Sequence, residues 1–240
     1  MTLEEILQNK SAVALLIDHT LLKPEATQLE IHRLCDDART NNFASVCVNP
    51  HWVQSAVKRL RESDVRVCTV VGFPLGANDA RTKLAEANVA LVQGAEELDM
   101  VQNIGALRSG DFHLVHKEIA DLADVAHSRG AILKVILETC LLSDAEKRTA
   151  CQLAVQAKAD FVKTSTGFSK SGATVADVKL MRETVGPDMG VKASGGIRTF
   201  ETLREMVLAG ANRIGTSSGI SILYEMEQAL PSPASETGAY

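Results

Sequence analysis

Eight short apolar runs, separated by longer amphipathic segments, constrain the fold of this chain more than any other feature. The predicted strands are Val13–Asp18, Ser45–Val48, Arg66–Val71, Glu97–Val101, Ala131–Leu137, Phe161–Thr164, Gly190–Ala193 and Arg213–Gly215. The predicted helices lie near Glu25–Thr40, Pro50–Glu62, Asn78–Gln93, Asp111–Arg129, Asp144–Ala157, Thr174–Thr184, Thr199–Ala209 and Ser217–Leu230, and a short helix is expected before the first strand. Strands that alternate with helices in this way indicate parallel βα units.

Both a (β/α)8 barrel and an open doubly wound sheet consist of such units. Eight units in only 240 residues favour closure into a barrel. No GxGxxG motif follows the first strand, which argues against a dinucleotide-binding sheet. We therefore predict an α/β protein with one TIM-barrel domain over residues 1–240. Residues 231–240, rich in Pro, Ser and Gly, are expected to form a mobile tail.

Charge and composition exclude several classes of partner. The net charge is −5 and no stripe of Lys and Arg stands out, so no nucleic acid is expected. No apolar run approaches the length of a membrane span, and the acidic N-terminus lacks the apolar stretch of a signal peptide. The five cysteines are scattered without a CxxC pair, which predicts reduced thiols, a cytoplasmic protein and no metal site. A homodimer is left open.

Polar residues collect where the predicted strands end, which is where barrel enzymes place their chemistry. The simplest explanation is that chains become polar at strand ends, but it explains Lys163 and Lys192 poorly. Each follows apolar strand residues and precedes small ones, although lysine is rarely buried unless it is paired. Together with Asp99 on the same rim, they indicate a functional site. Lys134 lies deeper in its strand and is expected to neutralise Asp18 or Asp99.

Two neighbouring lysines suggest a specific chemistry. An amine must be unprotonated to attack a carbonyl, whereas the ordinary pKa of lysine is about 10.4. A nearby cation and an apolar pocket both lower that pKa, so one lysine can activate the other. The attacking amine would form an iminium ion, and Asp99 with Lys192 and a water could relay the proton.

Two glycine-containing loops predict a phosphate site. Ala193–Arg198 (ASGGIR) and Gly215–Gly219 (GTSSG) follow the seventh and eighth strands. Glycines allow backbone N–H groups to approach an anion, and barrel enzymes often bind phosphate at these two positions. Ordinary helix caps and turn glycines would explain one such loop. Two in adjacent units favour phosphate binding.

The chain resembles the deoxyribose-phosphate aldolase family over nearly its whole length. The most specific segments are DFVKTSTGF (Asp160–Phe168) and VKASGGIR (Val191–Arg198). IDHTLLKP (Ile17–Pro24), SVCVNP (Ser45–Pro50), ELDMVQNIG (Glu97–Gly105), LKVILET (Leu133–Thr139) and RIGTSSG (Arg213–Gly219) also match in order. The resemblance implies reversible cleavage of 2-deoxy-D-ribose 5-phosphate to D-glyceraldehyde 3-phosphate and acetaldehyde, without a metal or organic cofactor.

The resemblance also implies residue roles. Lys163 would form the Schiff base, Lys192 would perturb it and join Asp99 in proton transfer, and Tyr240 would assist, since some relatives also end in tyrosine and use it near the active site. The residues expected around the substrate are Asp18, Thr20, Cys47, Lys134 and Thr164, and those expected to hold phosphate are Gly167, Gly195, Gly196, Gly215, Ser217 and Ser218. Phe168 stands where some members carry a lysine, so backbone N–H groups, Ser217 and Ser218 are expected to hold the phosphate.

Two other functions fit the same residues. One is another phosphate-binding barrel lyase or isomerase that uses the lysine on a longer keto-sugar phosphate. The other is a non-catalytic sugar-phosphate sensor that kept the pocket. Only the aldolase hypothesis predicts exchange of acetaldehyde methyl protons with solvent, and binding alone does not require an activated amine.

Overall fold

A computed structural model describes residues 2–229 as a closed barrel of eight parallel strands, paired in chain order from the first to the eighth and back to the first. The strands are β1 (Ile17–Leu21), β2 (Ser45–Val48), β3 (Arg66–Val71), β4 (Glu97–Val101), β5 (Ile132–Ile136), β6 (Phe161–Lys163), β7 (Gly190–Ser194) and β8 (Arg213–Thr216). The predicted (β/α)8 barrel and its single domain are thereby confirmed.

Helices cover the outside of the barrel. They are α1 (Leu3–Leu7), α2 (Lys10–Ala14), α3 (Gln28–Asn41), α4 (Val53–Arg59), α5 (Ala80–Val92), α6 (Ile104–Arg108), α7 (Phe112–His127), α8 (Asp144–Gln156), α9 (Val175–Val185), α10 (Phe200–Leu208) and α11 (Gly219–Ala229), with single 3-10 turns at Pro50–Trp52 and Thr139–Leu141. Several begin where the sequence supplies a cap: Thr27 opens α3 and Ser143 opens α8, each in a capping box with a glutamate.

The first strand was predicted too early. Val13, its expected first residue, lies in α2, and β1 begins only at Ile17. The side chain of Asn9 accepts a hydrogen bond from the N–H of Ala12 and so starts a helix there. A short apolar run is consistent with either a strand or a buried helix, and periodicity does not separate them.

Strand register determines which residues share the barrel interior. Asp99 of β4 lies beside Lys134 of β5, and Lys163 of β6 lies beside Lys192 of β7. Successive side chains of a strand point to opposite faces. The neighbours of Asp99, Leu98 and Met100, therefore pack into the apolar layer outside the barrel. The interior is polar at this level.

The predicted tail, residues 231–240, and with it Tyr240, lie outside the described residues. Within residues 2–229, none of the helices combines the length and the apolar character needed to cross a membrane.

Candidate active site

Asp99 is the centre of a buried cluster of charges inside the barrel. Its Oδ2 accepts hydrogen bonds from the Nζ atoms of Lys163 and Lys192, each at 2.7 Å. Its Oδ1 accepts one from Lys134 Nζ at 2.8 Å. Asp99, Lys134 and Lys192 are fully buried, and Lys163 is 3% exposed. The structure thus brings together the three lysines and the aspartate that the sequence singled out.

Two further carboxylates complete the cluster. Asp18 contacts Lys192 and accepts from Arg213 at 2.7 Å. Glu97 lies 2.6 Å from Lys134 and 3.3 Å from Arg213. Sequence reasoning missed Glu97 and Arg213. Glu97 precedes Asp99 by two residues in β4, so the alternation of strand side chains could have placed it in the interior.

Ion pairing outweighs burial at three groups of this cluster, Asp99, Lys192 and Asp18. Burial opposes the charge on Asp99, but Lys134, Lys163 and Lys192 hold its pKa well below its usual range. Burial likewise opposes the charge on Lys192, yet the carboxylates of Asp18 and Asp99 raise its pKa above the ordinary value. The pKa of Asp18 is lowered in the same way. These three groups are therefore charged at neutral pH.

Cys47 and Cys68 lie side by side on β2 and β3, next to Asp99. The Cys68 thiol donates to Asp99 Oδ1 at 3.2 Å. A hydrogen bond with Cys68 lowers the pKa of Cys47, whereas burial raises that of Cys68. The two sulfurs and the Asp99 carboxylate lie within 4.8 Å of one another. Both oxygens of Asp99 already accept from lysine ammonium groups, so this group does not fit a bound cation.

An open cleft of about 790 Å³ lies above the cluster, at the carboxyl ends of the strands, and Lys163 reaches into it. The predicted site residues that line it are Thr20, Lys163, Gly167, Gly195, Gly196, Gly215 and Ser217. Sequence reasoning had not assigned two exposed cations in its wall, Lys23 and Arg198. Among the described residues that line the cleft, none carries a carboxylate. The cleft is therefore suited to an anionic ligand.

The predicted residues that belong to the buried cluster do not line the cleft; they are Asp18, Cys47, Asp99, Lys134 and Lys192. Thr164 and Ser218, which were predicted at the substrate, do not line it either. The Thr164 hydroxyl donates to the carbonyl of Ser194 at 3.2 Å and accepts from its N–H at 3.1 Å, so it ties β6 to β7. Ser218 is half-buried, and its N–H donates to the hydroxyl of Thr216 at 2.9 Å. That N–H is therefore already engaged within the protein.

The loops after β6 and β7 pack closely on each other. Gly167, Gly195 and Gly196 have φ of 84°, 86° and 83°, in the left-handed region that favours glycine. The N–H of Ala173 lies 3.0 Å from the carbonyl of Ser194 and 3.1 Å from that of Gly195. A Cβ on Gly172 would lie 2.0 Å from the Gly195 oxygen. Glycine at 172 therefore permits the two loops to meet beside the cleft.

A (β/α)8 barrel with a nearly buried lysine that reaches a cleft lined by cations and glycines defines the class of barrel enzymes equipped for carbonyl chemistry. The sequence family model described as "DeoC/LacD family aldolase" matches residues 12–226. The chain belongs to this family and is an aldolase, a lyase.

Close relatives agree with this assignment. Deoxyribose-phosphate aldolase from Brevibacillus brevis is 59% identical over 86% of this chain and 93% of its own length. The enzyme of that name from Thermococcus kodakarensis is 58% identical over 90% and 97%. The solved structure of the Aeropyrum pernix deoxyribose phosphate aldolase, described as tetrameric, superposes with a TM-score of 0.87 at 34% identity and covers 95% of this chain and 99% of its own.

Proposed function

We propose that this chain is a class I aldolase that reversibly cleaves 2-deoxy-D-ribose 5-phosphate to D-glyceraldehyde 3-phosphate and acetaldehyde. The relatives named above support the substrate. The observation that carries the mechanism is the position of Lys163: it ends β6, is almost fully buried, touches Asp99 and still reaches the cleft. A buried amine that meets the substrate pocket is what a Schiff-base mechanism requires.

The contacts of the cluster distinguish Lys163 from its other cations. Its members are the carboxylates of Asp18, Glu97 and Asp99 and the cations Lys134, Lys163, Lys192 and Arg213. Among the described residues of the barrel interior, four cations face three carboxylates; a fifth cation, Arg66, lies 3.6 Å from Glu97 but is half exposed to solvent. A buried excess charge is unfavourable. Lys163 contacts one carboxylate, whereas the other three cations each contact two or more. We therefore assign the attacking amine to Lys163, the cation of the cluster with the fewest carboxylate partners.

The chemistry follows from that assignment. The neutral amine attacks the aldehyde carbon C1 of the open-chain sugar, and loss of water gives an iminium ion. A base takes the proton of the C3 hydroxyl, and the electrons of the C2–C3 bond move to form an enamine. D-Glyceraldehyde 3-phosphate leaves, C2 is protonated, and hydrolysis releases acetaldehyde and Lys163. The iminium ion serves as the electron sink.

Asp99 and Lys192 supply the proton transfer in this proposal. Asp99 Oδ2 accepts a hydrogen bond from Lys163 Nζ and another from Lys192 Nζ, each at 2.7 Å. Asp99 therefore lies between the two lysines. A water hydrogen-bonded to this pair would carry protons to and from the substrate. Lys134, Asp18 and Cys47 keep the cluster ordered in the buried layer, and Thr20, which lines the cleft, borders the substrate chain.

The phosphate is proposed to bind at the glycine-containing segments at the carboxyl ends of β6, β7 and β8. Backbone N–H groups of Gly167, Gly195, Gly196 and Gly215, with Ser217, would hold it. Arg198 and Lys23 provide the side-chain cations of the cleft, so the wall is positive although Phe168 is apolar. Ser218 would act through Thr216 and the start of α11 instead of by direct contact.

Three further parts of the proposal concern the protein as a whole. Tyr240 is proposed to assist protonation of the enamine, although it lies outside the described residues. A cytoplasmic location and a homodimer remain predictions from the sequence and the family.

Borohydride trapping tests the assignment of the amine. Reduction in the presence of acetaldehyde should leave an ethyl group on the peptide that contains Lys163. Lys163→Met should abolish the label, whereas Lys170→Met, which removes an exposed lysine of the same loop, should retain it. Labelling of Lys192 alone would reverse the assignment.

Solvent exchange distinguishes this function from the alternatives. An acetaldehyde aldolase should incorporate deuterium from D2O into the methyl group of acetaldehyde, without any second substrate. An enzyme for keto-sugar phosphates or a non-catalytic sensor should not. If borohydride traps acetaldehyde on the enzyme but no deuterium enters its methyl group, imine formation is supported and the enamine step is refuted.

A further inference from the structure

We infer that Glu138 is a positioning residue for the loop that follows the Schiff-base lysine, and that it sets the affinity for the phosphate end of the substrate. This inference rests on the proposed function but adds a residue outside the cluster around Asp99. Glu138 follows β5 and is 2% exposed. No salt-bridge partner is found for it among residues 2–229. A buried carboxylate without a cation is costly unless its hydrogen bonds are needed.

The short hydrogen bonds of Glu138 go to Thr166, and the Cys140 thiol makes a longer contact to Glu138 Oε1 at 4.0 Å. Glu138 accepts from the hydroxyl of Thr166 at 2.5 Å and from its backbone N–H at 3.3 Å. The same hydroxyl then accepts from the N–H of Phe168 at 3.1 Å. One carboxylate thus fixes, directly or through Thr166, the N–H groups on both sides of Gly167.

The backbone N–H of Gly167 is the group that this arrangement leaves available to a ligand. Gly167 lines the cleft with φ of 84°, and its N–H has no acceptor among the described residues. Because the N–H groups of Thr166 and Phe168 are engaged by the protein, the N–H of Gly167 is the one in this turn that remains for a phosphate oxygen. Hydrogen bonds to a charged acceptor are among the stronger ones in proteins.

The backbone of Glu138 supports a functional role. It has φ of 57° and ψ of 61°, a left-handed conformation that is unfavourable for a residue with a side chain. Such conformations are retained where the surroundings require them, and they cluster at functional sites. The strained backbone and the buried carboxylate are two independent features of one residue, and both are explained if Glu138 must reach Thr166.

A second contact holds the far end of the loop. The ring of Phe168 packs edge-on against Phe73 at 5.3 Å between centroids. With Glu138 on one side and Phe73 on the other, the turn at Gly167 is supported from both ends. Phe168 and Thr166 line the cleft as well, so displacement of this turn changes the cleft wall directly.

The test compares substrates with and without phosphate. In Glu138→Ala, KM for 2-deoxyribose 5-phosphate should rise about 10- to 150-fold, the range expected for one lost hydrogen bond to a charged group. KM for unphosphorylated 2-deoxyribose, and the rate of borohydride trapping of acetaldehyde, should change less than about threefold. Glu138→Gln, which keeps the size and one acceptor, should recover part of the affinity.

Two further variants keep the inference falsifiable if Glu138→Ala is unstable. Glu138→Gly relieves the left-handed backbone while it still removes the carboxylate, so it should fold and still show the raised KM. Thr166→Val should raise the same KM, and its effect should not multiply with that of Glu138→Gln if the carboxylate acts through Thr166. The inference would be overturned if KM rose equally for the phosphorylated and the unphosphorylated sugar, or if Glu138→Gly slowed the trapping of acetaldehyde. Absence of cleavage by the unmodified enzyme would instead refute the proposed function.

Discussion

Lys192→Met probes the charge balance on which the proposed mechanism depends. The substitution removes one of four buried cations while keeping an unbranched side chain of similar length. Three carboxylates then face three cations, so the cluster is neutral only if Lys163 keeps its proton. The neutral amine that attacks the carbonyl should therefore become rare at neutral pH.

The size of the effect follows from the ordinary behaviour of lysine. In a free lysine side chain, whose pKa is about 10.4, about one amine in 1,000 is neutral at pH 7.4. Borohydride trapping of acetaldehyde at pH 7.4 should fall by up to about 1,000-fold, and the trapping rate should keep rising as the pH is raised towards 10. Trapping followed by mass spectrometry across this pH range measures the shift.

A charge-compensated variant provides the matched control. Asp18→Asn removes a carboxylate that contacts both Lys192 and Arg213. Combined with Lys192→Met, it restores one cation in excess, so the pH profile should move back towards that of the unmodified enzyme. Circular dichroism and Tm establish that each variant is folded. An unchanged pH profile in the single variant, or no recovery in the double variant, would refute the electrostatic reasoning.

Three further predictions concern other parts of the molecule. Lys83 and Glu118 form a buried ion pair at 2.9 Å between α5 and α7. Lys83→Met should lower the free energy of unfolding, measured in urea, by about 3–5 kcal/mol, because it leaves the Glu118 carboxylate buried without a partner. The double variant with Glu118→Leu should recover most of that stability. A single variant as stable as the unmodified protein would contradict this. Gly172→Ala would place a Cβ 2.0 Å from the Gly195 oxygen, and KM for the phosphorylated sugar should rise about tenfold with acetaldehyde trapping unchanged; equal slowing of both would point to general damage instead. Tyr240→Phe should preserve trapping but slow methyl-proton exchange, and the role of the tail is refuted if deletion of Tyr240 alters neither rate.

The strand ends show how far sequence patterns reach. Lys163 and Lys192 were predicted as functional because each follows apolar strand residues and precedes small ones, and Asp99 was added because it was expected on the same rim of the barrel. The start of β1 was not predictable in the same way. The run around Val13 is apolar whichever structure it adopts, and the cap at Asn9 determined that it became a helix.

Other site residues carried no local signal. Arg213 opens a strand and Arg198 lies in the loop between β7 and α10, positions where arginine is common for ordinary reasons. Their roles depend on which residues they meet across the barrel: Arg213 lies 2.7 Å from Asp18, a residue 195 positions earlier. Glu138 is similar, because its partner Thr166 comes from the next βα unit, 28 residues away.

The sequence by itself determined the βα repeat and the family, and it singled out Lys163 as the candidate Schiff-base lysine, since these depend on periodicity and on residue types at strand ends. Only the tertiary structure decided the charge balance around Asp99, the exclusion of Thr164 and Ser218 from the cleft wall, and the support of the Gly167 turn by Glu138. The physical reason is that these properties depend on distances of a few ångströms between residues on different strands. Strand register and barrel closure fix such distances, and no local pattern in the chain encodes them.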